Sequence, residues 1–205
     1  NSAFGHYALS ANTTGANNVG IGYNALLANT TGASNVAIGS TALDANTTGS
    51  NHIAIGYSAL GSNTTGGDNV AVGYSALGAN TTGNNLVALG TNALDANTTG
   101  TYNVGLGQHA LGASTTGSYN VAVGINTLDA ATTASNNTAV GYAAMGASTS
   151  GHSNVAIGTN AMLVATDATH NTAVGMDSMK AHETGNECTA IGYIALNANT
   201  TGAGN

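Results

Sequence analysis

Apolar residues recur along this chain with a period of 17, and within each period they keep a fixed order. A short alternating run comes first, as in Asn35-Val36-Ala37-Ile38-Gly39. An Ala-Leu pair follows beyond that glycine, and a polar Ala-Asn-Thr-Thr-Gly segment closes the unit. The glycine ending the alternating run never fails: Gly5, Gly22, Gly39, Gly56, Gly73 and Gly90 lead on to Gly107, Gly124, Gly141, Gly158, Gly175 and Gly192. Alternation predicts a strand, because residues two apart share a face. A unit this short holds neither a helix pair nor a propeller blade, so each period is expected to form one turn of a parallel β-solenoid. Twelve coils stacked about 4.8 Å apart would make a rod of roughly 55–60 Å.

The columns carry an expected orientation. Val19, Val36, Ile53, Val70, Val87, Val104, Val121 and Val155 form one column; Ile21, Ile38, Ile55, Val72, Leu89 and Leu106 begin a second, two residues on. Both are expected to line the interior, facing a third column from Leu9, Leu26 and Leu43 through Met145, Met162 and Met179 to Leu196. Between the two aliphatic columns lie only Ala and Gly: Gly20, Ala37, Ala54, Ala71, Ala88, Gly105, Ala122, Ala139, Ala156, Ala173 and Ala190. If the aliphatic columns point in, this one points out. A strand apolar on both faces is normally buried on both, so the small-residue column is expected to be an interface between copies of the chain. The glycines are expected to supply φ > 0 at two bends, the second being Asn-Thr-Thr-Gly, as at Asn12 to Gly15. A file of asparagines at the strand entry, including Asn18, Asn35, Asn69 and Asn103, predicts a stacked amide ladder. His52, Leu86 and Cys188 interrupt that file, so Cys188 reads as a substitution tolerated within it.

Composition narrows the class further. Charged residues are 4% of the 205, with no Pro, no Trp, one Phe and 30 Gly. Such a chain cannot fill a wide core, and a core one side chain thick suits it. The net charge of −7 rests on eight acids against the single base Lys180. That leaves no means of neutralising phosphates, which excludes nucleic acid as a partner and argues against anionic membranes. No run approaches the length of a membrane span. The single cysteine excludes a disulfide framework.

The N-x-V-A-I-G core, as in Asn35-Val36-Ala37-Ile38-Gly39 and Asn154-Val155-Ala156-Ile157-Gly158, resembles the head repeats of trimeric autotransporter adhesins. Similar repeats occur in phage tail-fibre and tailspike proteins. The resemblance recurs in every coil, although the coil here is longer by the Ala-Asn-Thr-Thr-Gly segment. It implies a left-handed parallel β-roll, three copies side by side, and a surface that adheres to host molecules.

Chemistry is sparse. Lys180 is followed by Ala181, so no phosphate-binding loop of the Gly-Lys-Ser/Thr kind is present. Asp44, Asp95 and Asp129 share a column with non-acidic coils between them and read as solvated turn residues rather than paired catalytic carboxylates. The six histidines occupy six columns, and only His152 and His170 are placed to approach each other. No enzyme, cofactor or metal site is expected. The column of Tyr23, Tyr57, Tyr74, Tyr142 and Tyr193 is a candidate ligand-facing row, able to stack on sugar rings or to shield the turn. The Asn-Thr-Thr turns are also glycosylation sequons at Asn12, Asn29, Asn46, Asn63, Asn80, Asn97 and Asn199, with Asn136 in another turn. Residues 1–205 are therefore expected to be a single solenoid domain, a segment of a longer extracellular fibre that attaches to host or surface ligands. It would self-associate, as a homotrimer first and an end-to-end filament second. A structural filament and an ice-binding solenoid are the alternative functions.

Overall fold

In the computed structural model, which describes residues 1–205, twelve strands form one parallel sheet in strict chain order, from β1 (Ser2–Phe4) to β12 (Thr189–Ile191). Each strand has three residues, and each pairs with the residue 17 further on: in β3 (Val36–Ile38) and β4 (Ile53–Ile55), Ala37 faces Ala54. The solenoid expected from the period is therefore the fold. Strands are its smaller part. Of 143 backbone hydrogen bonds only 22 run from strand to strand, and the bends also stitch one coil to the next. Leu26 N–H, for example, donates to Ala42 O at 3.0 Å, and Thr30 N–H to Thr47 O at 2.9 Å.

The strand columns are inverted relative to expectation. Ala37, Ala54, Ala71 and Ala88 are fully buried, while Ile38, Ile53 and Ile55 are exposed. Space decides it. The leucine column enters from the opposite wall, and a Cβ on Gly20 or Gly105 would already lie 3.4 Å from a side-chain carbon of Leu9 or Leu94. Only a methyl fits between strand and leucine, so the strand turns its smallest column inward and its aliphatic ones outward. A second alanine file, Ala25, Ala42, Ala59 and onward, completes this apolar lobe beside Leu26, Leu43 and Leu60.

Two files of buried asparagine fill the rest of the interior. At the strand entry, Asn18 Oδ1 accepts from Asn35 N–H at 2.9 Å, and Asn18 Nδ2 donates to Gly32 O at 2.8 Å. His52 reproduces both bonds: its Nε2 meets Gly66 O at 2.7 Å, and its Nδ1 accepts from Asn69 N–H at 3.3 Å. Cys188 reproduces only the second, its thiol donating to Gly202 O at 3.1 Å, while its N–H donates to Asn171 Oδ1. Leu86 has neither donor nor acceptor. In the turn file, amide follows amide: Asn46 Nδ2 donates to Asn29 Oδ1 at 2.8 Å, and Asn63 Nδ2 to Asn46 Oδ1 at 2.9 Å.

The bends use φ > 0 mostly at residues other than glycine. Leu26 (φ 55°), Thr41 (55°) and Asn51 (64°) mark three left-handed positions that recur in each coil. Each costs about 1–2 kcal/mol for an ordinary side chain. Asn, Ser and Asp, which tolerate this region, dominate two of the three columns, and the leucine column accepts it because its side chain fills the core. The invariant glycine does need its conformation, as at Gly56 (φ 135°), where a Cβ would also run into the Gly73 backbone. The turn glycine does not. Gly32 is glycine because a Cβ would collide with Gly49 O and Asn29 Oδ1, so closeness, not φ, is the reason.

Candidate functional site

With the interior occupied by apolar and amide files, function falls to the outer walls. The sheet presents two columns outward. One is apolar from Phe4 to Ile191, and the other is apolar from Val19 to Val121 and at Val155, with Ser2, Thr138, Thr172 and Thr189 at the remaining coils. Ile53 is 41% exposed and Ile157 40%. The interface expected at Gly20, Ala37, Ala54, Ala71, Ala88, Gly105, Ala122, Ala139, Ala156, Ala173 and Ala190 is thereby corrected. Those residues touch the leucine column inside the coil and are closed to a partner, apart from slight exposure of Ala190. The surface available to one is the Val/Ile pair of columns flanking them.

The tyrosine row is on the surface, as placed. Tyr23, Tyr57, Tyr74, Tyr142 and Tyr193 are all more than half exposed. The structure brings only some rings together. Tyr57 and Tyr74 stack with centroids 5.3 Å apart and planes 11° apart, and His6 stacks on Tyr23 at 5.7 Å. On the other side of Tyr57 the column carries Ser40, so that face of the ring has no aromatic cover. A second stacked pair, Tyr102 and Tyr119 at 5.0 Å, lies in the column just before the strand-entry asparagines and was not singled out from sequence.

Beside Tyr57 runs a groove of about 490 Å³. It is on the wall opposite the sheet, in the segment that carries the inward leucines. Its floor is Gly61 and Gly78, its ends are Asp44 and Asp95, and Ser58 and Ser75 line its side. The groove exists because neighbouring coils leave out a side chain in one column. That column reads Asp44, Gly61, Gly78, Asp95, Gly112, Asp129 and Gly146, while Leu27 precedes it and Leu163 follows. The next gap is closed: Asp129 Oδ1 lies only 2.5 Å from where a Cβ on Gly112 would stand.

The carboxylates are not freely solvated turn residues, as the sequence reading had them. Burial pushes the pKa of Asp44 up, against the backbone N–H groups of Asp44 and Ala45. Asp95 and Asp129 are raised by the same cause, each partly offset by His109. Ser58 is hydrogen-bonded to Thr41 at 2.8 Å, and the Ser75 hydroxyl makes no bond within the chain. The one ion pair, Lys180 to Asp177 at 3.0 Å, lies far along the rod and leaves the groove without a cation. The signal for this site was legible: one column restricted to Asp and Gly over seven coils, next to the tyrosines.

The sequons are mostly unusable. Asn29, Asn46, Asn63, Asn80 and Asn97 are fully buried, with each Nδ2 donating along the amide file. A glycan cannot be attached to such a nitrogen without dismantling the coil. Asn12 and Asn199, near the chain ends, are half-buried, and only Asn136 is exposed. The threonines of these turns divide as the strand-like alternation suggests. Thr30 Oγ1 donates to Thr47 O at 3.0 Å, while Thr31 faces out, giving one exposed threonine file. His152 and His170 do meet, edge to face at 5.5 Å, both on the surface. No group of three His, Cys, Asp or Glu side chains is arranged to hold a metal ion, and no helix is long and apolar enough to cross a membrane. No protein-family model matches the chain, and neither a curated protein nor a solved structure is found to be similar to it.

Proposed function

We propose that this chain is a segment of an extracellular fibre that assembles with copies of itself along the Val/Ile face and displays its other walls for attachment. The observation that carries the reading is the apolar strip on the sheet. It is about 53 Å long and roughly 10 Å wide, or about 500 Å², at the upper end for an exposed patch on a monomer. Parallel sheets are ordinarily covered on both faces. The best-fitting cover is the same chain, because only a partner with the same coil rise keeps matching side chains in step along the whole rod. Three copies around an axis, the arrangement implied by the resemblance to adhesin heads, cover all three strips at once. A chain with only 4% charged residues suits a passive scaffold, and no arrangement of side chains points to catalysis.

Sedimentation equilibrium of the full chain tests this, with Ile38→Lys/Ile55→Lys alongside. Both side chains point outward, so the variant keeps the coil. The expected result is a trimer that becomes a monomer in the variant with an unchanged circular dichroism spectrum. A monomeric parent chain, or end-to-end polymers untouched by the lysines, overturns the proposal.

A further inference from the structure

Resting on the attachment reading above, we infer that the groove between Asp44 and Asp95 is a binding site for a short neutral oligosaccharide. The groove combines three features that a chain of pyranose rings uses together. The first is an apolar wall. Tyr57 has Tyr74 stacked on one face at 5.3 Å and only Ser40 beside the other, so a rigid, buttressed ring offers an open face to the C–H side of a sugar. The second is a set of acceptors with capacity to spare. No side chain donates a hydrogen bond to the Asp44 or Asp95 carboxylate, and the Ser75 hydroxyl is unpaired. Vicinal sugar hydroxyls donate to such acceptors in pairs. The third is a floor without side chains. Gly61 and Gly78 let a ligand approach the backbone, and the resulting space of about 490 Å³ lies within the range of small-ligand sites.

Spacing separates this ligand from a cation. Asp44 and Asp95 are three coils apart, about 14 Å, too far to share one ion and suited to hold the two ends of an extended molecule. The site is on the wall opposite the sheet, so assembly along the Val/Ile face leaves it open.

The test is a titration of the full chain with cellotetraose, maltotetraose, mannotetraose and chitotetraose, followed by NMR and calorimetry. Two variants accompany it. Gly61→Leu/Gly78→Leu fills the floor with the residue that the same column already carries at Leu27 and Leu163; neither glycine has a left-handed φ, so the coil accepts it. Tyr57→Ala removes the exposed wall and keeps the proposal testable if the filled variant misfolds. At least one sugar is expected to bind, with affinity lost in the filled variant and lowered about tenfold by Tyr57→Ala. Absence of binding by all four sugars overturns the inference, as does binding that survives both substitutions. So does a groove that takes calcium ion or a lysine tetrapeptide in place of the sugars. Sedimentation of the same samples separates the two readings. A trimer that binds no sugar removes the groove alone, and a monomer that binds sugar removes the fibre alone.

Discussion

The two halves of the solenoid keep the same backbone with different polar interiors. In the first half the turn file runs unbroken from Asn12 to Asn97, while the strand-entry file is interrupted by His52 and Leu86. In the second half the roles exchange. The turn position holds Ser114, Ala131, Ser148 and Ala165, and the strand-entry file runs unbroken from Asn103 to Asn171. There it gains bonds that its counterpart lacks: Asn154 Nδ2 donates to Asn137 Oδ1 at 3.1 Å, and Asn171 Nδ2 to Asn154 Oδ1 at 3.2 Å. Where the turn file ends, Asn97 Oδ1, Ser114 Oγ and Ser148 Oγ are buried without partners. Each half thus retains one continuous amide file through the narrow polar lobe of the coil.

The exchange also explains the turn glycine. Ala134 and Ala168 are the two exceptions in its column, and in those two coils the residue three earlier is Ala131 and Ala165. A Cβ at Gly83 would fall on both Asn80 Oδ1 and Gly100 O, whereas at Gly151 it would meet the Ala168 carbonyl at 2.6 Å and no side chain closer than Ser148 Oγ at 3.3 Å. The asparagine adds its own collision to the one that the next coil's carbonyl makes, and alanine is found only where the asparagine is missing. The largest effect expected from the comparison follows from this. Gly83→Ala should cost about 3 kcal/mol through overpacking, and Gly151→Ala about 1 kcal/mol or less. In a double-mutant cycle by chemical denaturation, Asn80→Ala and Gly83→Ala should couple favourably by about 1 kcal/mol or more. Equal costs for the two glycine substitutions would refute the rule.

Next in size is a cut in the file itself. Asn63→Ala removes bonds to Asn46 Oδ1 and Gly66 O, and leaves Asn80 Nδ2 with one of its two N–H groups unpaired, since it donates to Asn63 Oδ1 at 2.9 Å and to Gly83 O at 3.1 Å. A loss of about 2 kcal/mol is expected, because a buried donor is left unpaired. Ser148→Ala in the other half removes only a hydroxyl that has no partner, so it should change stability by less than about 0.5 kcal/mol or raise it. If Ser148→Ala destabilises as strongly as Asn63→Ala, the second half relies on its turn file after all.

These contrasts mark where the sequence was informative. The period and the Gly5-to-Gly192 column point to a parallel stack, because 17 residues hold neither a helix pair nor a propeller blade and the alternating run reads as a strand. The direction of each strand was not legible in the same way. Alternation assigns Val36 and Ile38 to one face and Ala37 to the other, yet it does not say which is inside. The width of the coil settles that, and the width depends on how far Leu43 reaches from the opposite wall. The sequons failed for a related reason: the triplet Asn46-Thr47-Thr48 is indifferent to whether Asn46 points into a ladder. The groove required adjacency between coils, since Gly61 and Gly78 form a floor only when they stack, and Tyr57 forms a wall only beside them.

The smallest effect tests the interruption in the first half's weaker file. His52 keeps the ladder going as a neutral ring, with Nε2–H toward Gly66 O and a bare Nδ1 accepting from Asn69 N–H. Burial, the main cause, lowers its pKa from 6.5, with the Gly66 carbonyl among the opposing influences. Protonation puts a second donor where an acceptor is needed. The folded state therefore binds fewer protons than the unfolded one. The contribution of His52 is intact above about pH 6.5 and is lost as pH falls through its lower folded value. Asp44, Asp95 and Asp129 act with the opposite sign, since a raised carboxyl pKa weakens the fold as pH rises through the carboxylate range. Comparing the parent chain with His52→Asn cancels that background, because the three aspartates are common to both. Unfolding midpoints from about pH 5 to pH 8 should agree near the upper end and diverge below about pH 6.5, the asparagine variant being the more stable in acid. Parallel curves over that range would mean that the ring does not hold the ladder through a bare Nδ1. The His52 position would then be a gap like Leu86, and the first half would rest on its turn file alone.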